Sequence, residues 1–245
     1  MTMVALAVAL AAAGQWLDGP SAQGGPFQFR VELPPGQDES VDGRVLVMIA
    51  RDGKAGEPRT QISDGPGGQL IFGIDVDDWK PGTPAIVDQS VPGFPLERIG
   101  DIPAGTYTVQ ALLHKYETFH RGDGKTVKMP MDRGEGQQWN LAPGNLFSTP
   151  KKIAIDPKRG ETIRLSLDNA IPPIAPPKDT KYIRHETIQS EKLTKFWGRP
   201  MHIGANVLLP EGFDQHPEAR YPLVIYHGHF PYTFTGFREQ TPHPN

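Results

Sequence analysis

Residues 106–114 read TYTVQALLH, and in this run Tyr107, Val109, Ala111 and Leu113 fall on one face of an extended chain. That period of two predicts a half-buried β-strand. It is fed by DIPAG at residues 101–105, where Pro103 fixes φ and Gly105 supplies freedom at the bend. Residues 161–168 repeat the pattern, with Ile163, Leu165 and Leu167 opposed to Thr162, Arg164, Ser166 and Asp168. Both runs are expected to be antiparallel strands. Residues 44–51, RVLVMIAR, are continuously apolar inside charged ends and predict a strand covered on both sides. Residues 70–76 and 153–155 are weaker strand candidates.

Outward from these runs, Gly/Pro/Asp clusters separate short apolar segments from Phe27 to Asp168, the sequence form of an all-β sandwich of about six to eight strands. Gly and Pro, 27 and 26 residues, exceed their usual share and favour turns over long helices. Residues 115–150 are rich in Gly, Pro and charge with little periodicity, and are expected to form a surface excursion. IPPIAPP at residues 171–177 holds four prolines in seven positions, which imposes an extended path and suits a connector between domains.

Composition excludes some chemistry outright. With no cysteine, the chain has no disulfide, thiolate nucleophile or Cys-ligated metal. A net charge of -3 without a basic cluster interleaved with aromatics argues against nucleic-acid binding. Residues 4–13, VALAVALAAA, are too short to span a bilayer and have the form of a signal-peptide core, although the first basic residue is Arg30. A signal peptide and linker over residues 1–25, and a periplasmic or secreted location, are the expectation.

Beyond the connector the pattern changes. Residues 182–190 are strand-like, and residues 201–209 alternate Met201, Ile203, Ala205, Val207 and Leu209 against His202, Gly204 and Asn206 before a Pro-Glu-Gly turn, which suggests a hairpin. Residues 221–230 then read YPLVIYHGHF. Leu223 to Tyr226 predict an inner strand of a parallel sheet, opened by Pro222 and closed by His227 and Gly228, with its flanking helices beyond Asn245. A sharp turn after such a strand can aim backbone N–H groups at a tetrahedral oxyanion. Gly228 would let the backbone turn, the N–H of His229 or Phe230 would be a donor, and the His227 side chain would support the turn.

The ordered set GRPMHIGANVLLPEGF and then RYPLVIYHGHF, within residues 187–230, resembles the start of the catalytic domain of esterase D-like and feruloyl-esterase-like α/β-hydrolases. In that family a hairpin ending in LP-x-G-F/Y leads into YP-apolar-HG. The resemblance maps Gly228 and His229 to the oxyanion-side loop. The segment before the connector resembles the immunoglobulin-like N-terminal domain found on some exported esterases. It implies a mostly β chain, with an immunoglobulin-like sandwich over residues 26–170, a linker over 171–180 and the first strands of an incomplete α/β-hydrolase domain over 181–245.

The implied activity is carboxylic ester hydrolysis through a serine acyl-enzyme, without a cofactor, on a small-molecule or carbohydrate-linked ester. Such enzymes place serine in a G-x-S-x-G elbow, followed by Asp or Glu and then His. None of Ser21, Ser40, Ser63, Ser90, Ser148, Ser166 and Ser190 has glycine both two residues before and two residues after it, so nucleophile, acid and base are expected outside these residues, and residues 1–245 alone are expected to be inactive. Two alternatives remain: a non-catalytic sandwich that binds or assembles with a partner, and a metal-dependent hydrolase using His227 and His229, with His202, His216 and His243 as further ligands. Asp75, Asp77 and Asp78 read as a solvated turn, Arg121-Gly122-Asp123 as a charged turn, and Trp79, Phe94, Tyr116, Trp139 and Phe147 as packing aromatics.

Overall fold

A computed structural model describes residues 25–51, 56–65 and 67–228. The chain is mostly β. Its strands are β1 (Gln28–Glu32), β2 (Val41–Arg51), β3 (Leu70–Trp79), β4 (Ala85–Val87), β5 (Gly93–Phe94), β6 (Gly105–His120) and β7 (Thr126–Met129). They continue as β8 (Leu146–Phe147), β9 (Lys151–Ile155), β10 (Thr162–Ser166), β11 (Asn169–Ala170) and β12 (Ile183–Gln189), then one helix, α1 (Glu191–Trp197), and β13 (His202–Leu208). One sheet runs β11-β8-β6-β2-β3-β5, with β7 and β9 also paired to β6; a second runs β10-β1-β4; β12 and β13 form a separate antiparallel pair.

The first two sheets share one core, and alternation explains which residues enter it. Val45, Val47 and Ile49 of β2 stand opposite Leu113, Ala111 and Val109 of β6 and face Phe29, Val31, Val87, Ile163 and Leu165 of the smaller sheet. All ten are buried. Each of the Val, Leu, Ile and Phe side chains among them contributes about 1.5–3 kcal/mol by leaving water. The other β2 face is also covered: Leu46 and Met48 pack with Leu112, Ile171, Trp139 and Phe147. RVLVMIAR thus has apolar contacts on both faces, as its continuous hydrophobicity requires.

Several expectations need correction. β10 alternates as read, yet it runs parallel to β1, from Gln28 opposite Thr162 to Glu32 opposite Ser166. Alternation is the same in either pairing, so it carries no direction. The strands of residues 27–168 outnumber the expected six to eight because several are only two to four residues long. Residues 115–150 are no mere surface excursion. β6 continues to His120 and folds back as β7, while Asn145 and Ser148 are buried against β6. There Asn145 Oδ1 accepts Lys115 N–H, and Ser148 Oγ accepts Ala111 N–H at 2.9 Å. Asp75, Asp77 and Asp78 lie on β3, where Asp75 pairs with Arg44 and Asp77 with Lys128.

A network centred on Gln110 fastens the loops to the outer face. Gln110 is fully buried; its Nε2 donates to Glu57 and to the Ser148 carbonyl, both at 3.0 Å, and its Oε1 accepts Arg59 N–H at 3.1 Å. Trp79 fills the core and donates through Nε1 to the Thr83 carbonyl at 2.6 Å, and Phe94 stays exposed. Ile171 is buried and exchanges backbone hydrogen bonds with Gly144 and Asn145, so the packed body reaches one residue into the proline-rich run. Residues 172–178 then run exposed without secondary structure. No described helix is long and apolar enough to cross a membrane.

Candidate functional site

The expected hairpin forms, in register from Ile183 opposite Leu208 to Gln189 opposite His202. Its strands are joined by α1, a helix the sequence reading did not anticipate. Ser190 accepts Leu193 N–H as N-cap, and Gly198 closes the helix at φ 68°. Ile188 and Ile203, cross-strand partners, remain 63% and 52% exposed. The pair therefore has no core of its own among the described residues.

The run after it departs further from expectation. Leu223, Val224, Ile225 and Tyr226 are 80%, 86%, 81% and 76% exposed and belong to no strand. An inner strand needs a hydrogen-bonded neighbour on each side. β12 and β13, the strands adjacent in sequence, pair with each other and not with this run. His227 is exposed, Gly228 is half-buried, and His229 lies outside the described residues. Of the residues expected to form an oxyanion-side loop, the described ones are the exposed His227 and the half-buried Gly228.

What the structure does assemble is a junction that sequence reading missed. The tip of the β6–β7 hairpin meets α1: Gly122 N–H donates to the Phe196 carbonyl at 2.5 Å. The Arg121 guanidinium sits 5.0 Å from the Phe196 ring centre and 5.9 Å from that of Trp197. Trp197 meets Phe119 edge-on at 5.5 Å, and Arg199 lies 5.1 Å from the Phe119 ring. Glu117 accepts from both Arg133 and Arg199. Burial alone would raise the Glu117 pKa, but the two arginines outweigh it and hold the carboxyl below its usual range. The one available signal was local: Ser190 and Gly198 bracket EKLTKFW as caps, but two turns are too short to show a period.

Other polar groups are engaged in structure. Asp42 accepts Asp78 N–H and Lys128, and the backbone donor is the larger reason its pKa lies low. Among the described residues no group of three or more His, Asp or Glu is placed to hold a metal ion. A shallow cavity of about 370 Å³ lies over β6 between Lys115, Tyr116, Arg133, Pro143 and Ile174. Comparison of the chain with known protein families, with curated proteins and with solved structures finds no match, so its reading rests on the residues and geometry above.

Proposed function

We propose that the chain is the N-terminal part of an exported serine-esterase-like hydrolase. In this reading residues 26–170 are an immunoglobulin-like sandwich, 171–180 a linker and 181–245 the opening of an α/β-hydrolase domain. The observation that carries it is an order: a strand pair, the LPEGF turn, an apolar run, and His-Gly. The exposure of residues 223–226 supports the same reading, since four consecutive apolar side chains in water call for strands on either side. The immunoglobulin-like assignment is supported by Tyr107, whose hydroxyl donates to the Pro103 carbonyl at 2.7 Å, the kind of bond a tyrosine corner makes.

In the proposed mechanism a serine outside these residues attacks the ester carbonyl, with a histidine taking its proton. The turn at Gly228 presents the His229 or Phe230 N–H to the oxyanion, and His227 holds the turn. A non-catalytic module that lends residues 223–226 to a partner's sheet is the second reading, favoured by the same exposure.

Short-chain aryl esters and a fluorophosphonate probe separate the two. Residues 1–245 alone are expected to show neither hydrolysis nor labelling. A longer form carrying a G-x-S-x-G elbow should show both, with turnover reduced in Gly228→Val. A longer form that contains the elbow and yet binds no probe would sink the esterase reading. Zinc bound by the purified chain and lost in a His227→Ala, His229→Ala variant would favour metal chemistry instead.

A further inference from the structure

We infer that the tip of the β6–β7 hairpin is a latch that fixes the orientation of the β12–α1–β13 segment on the two-sheet body, with residues 172–178 as the hinge it restrains. This does not depend on the esterase reading.

The hairpin reaches past the body. β2 last pairs with β6 at Asp42 opposite Tyr116, and Glu117 to His120 pair only with β7. An extension of this kind has no core to bury its apolar side chains, yet Phe119 is only 3% exposed and belongs to neither hydrophobic cluster. Its ring partners are Trp197 and Arg199, from the segment beyond the connector. Arg121 Nε is buried without a hydrogen-bond partner, and the faces of Phe196 and Trp197 take the place of one. Arg121, Phe196, Trp197, Phe119 and Arg199 form an interdigitated row with a cation at each end.

Backbone approach is equally close from both sides. A Cβ at Gly198 would lie 2.5 Å from the His120 carbonyl oxygen, and one at Gly122 would lie 3.2 Å from the Lys195 carbonyl oxygen. A side chain at either place pushes the surfaces apart. By contrast, residues 172–178 are exposed and hold no secondary structure. A small contact between two parts of a chain leaves relative motion as the default, and this aromatic junction is what restrains it.

The chain contains no cysteine, which allows a clean distance measurement. Spin labels at Lys158→Cys on the two-sheet body and Glu186→Cys on β12 should give a single narrow distance distribution by pulsed electron paramagnetic resonance. Arg121→Ala, which leaves the α1 sequence intact, and Trp197→Ala should each widen it by roughly twofold or more. A distribution that is already broad without these substitutions would overturn the proposal. So would one that stays narrow in Arg121→Ala, whatever Trp197→Ala does, because orientation would then be fixed elsewhere or the tryptophan would act only within α1.

Discussion

Replacing Gln110 by leucine probes how the outer face of the large sheet is held. The substitution keeps the volume but removes three hydrogen bonds, to Arg59 N–H, the Ser148 carbonyl and Glu57. Glu57 retains Arg59 at 2.6 Å, so two backbone groups lose their partner. At about 1.5 kcal/mol for each unsatisfied group, within the range of about 1–3 kcal/mol for such groups, the gross cost is about 3 kcal/mol. The leucine gains about 1 kcal/mol from apolar burial, which leaves a net loss of about 2 kcal/mol. In urea, with an m-value of about 2 kcal/mol/M, the midpoint should fall by about 1 M at unchanged slope. Amide exchange should quicken at residues 57–62 and 139–148, the segments tied down through Glu57, Arg59 and Asn140. A midpoint shift under about 0.2 M would refute the reasoning, because the network would then contribute nothing net.

Tyr107→Phe should cost about 1 kcal/mol in the same titration, from loss of the bond to the Pro103 carbonyl. Gly198→Ala should loosen α1 and its contact with the hairpin, seen as faster exchange at residues 191–197, since the new Cβ meets the His120 carbonyl at a left-handed φ. Acid should destabilise the fold through Glu57 and Glu117. Burial works against both charges, yet Gln110 and Arg59 at Glu57, and Arg199 and Arg133 at Glu117, hold their pKa values below the unfolded one. Their contribution is complete above the ordinary glutamate range and is lost as pH falls below it through the folded values. Glu117→Gln should therefore lessen the slope of stability against pH below about 4.3 in thermal melts, and an unchanged slope would remove Glu117 from the account.

The parts of the fold that were legible in the sequence are those where one physical cause dominates. RVLVMIAR is apolar on both faces because β2 has a core beneath it and loops above it. The Ile163–Leu165–Leu167 alternation declared its buried row, whereas TYTVQALLH, read as half-buried, is covered on both faces, since Gln110 and Leu112 are buried as well. Pairing direction was not legible, since a strand's pattern is blind to its neighbour, and β10 proved parallel to β1. Strands of two to four residues, such as β5 and β8, are set by their partners and leave no periodic trace. The polar stretch 115–150 concealed Asn145 and Ser148, whose burial follows from hydrogen bonds to the β6 backbone. At the candidate site only the motif was legible: Gly228 ends the apolar run, but the strands that would bury residues 223–226 are not set by those residues.

The central claim is that YPLVIYHGHF belongs to a serine hydrolase, and the coding sequence downstream of Asn245 tests it most directly. The account predicts a continuous reading frame with G-x-S-x-G after a further strand, then an acidic residue and a histidine in that order. A stop codon at that point with no companion gene supplying the elbow would contradict it, and the chain would then be a binding module with an exposed apolar run to lend.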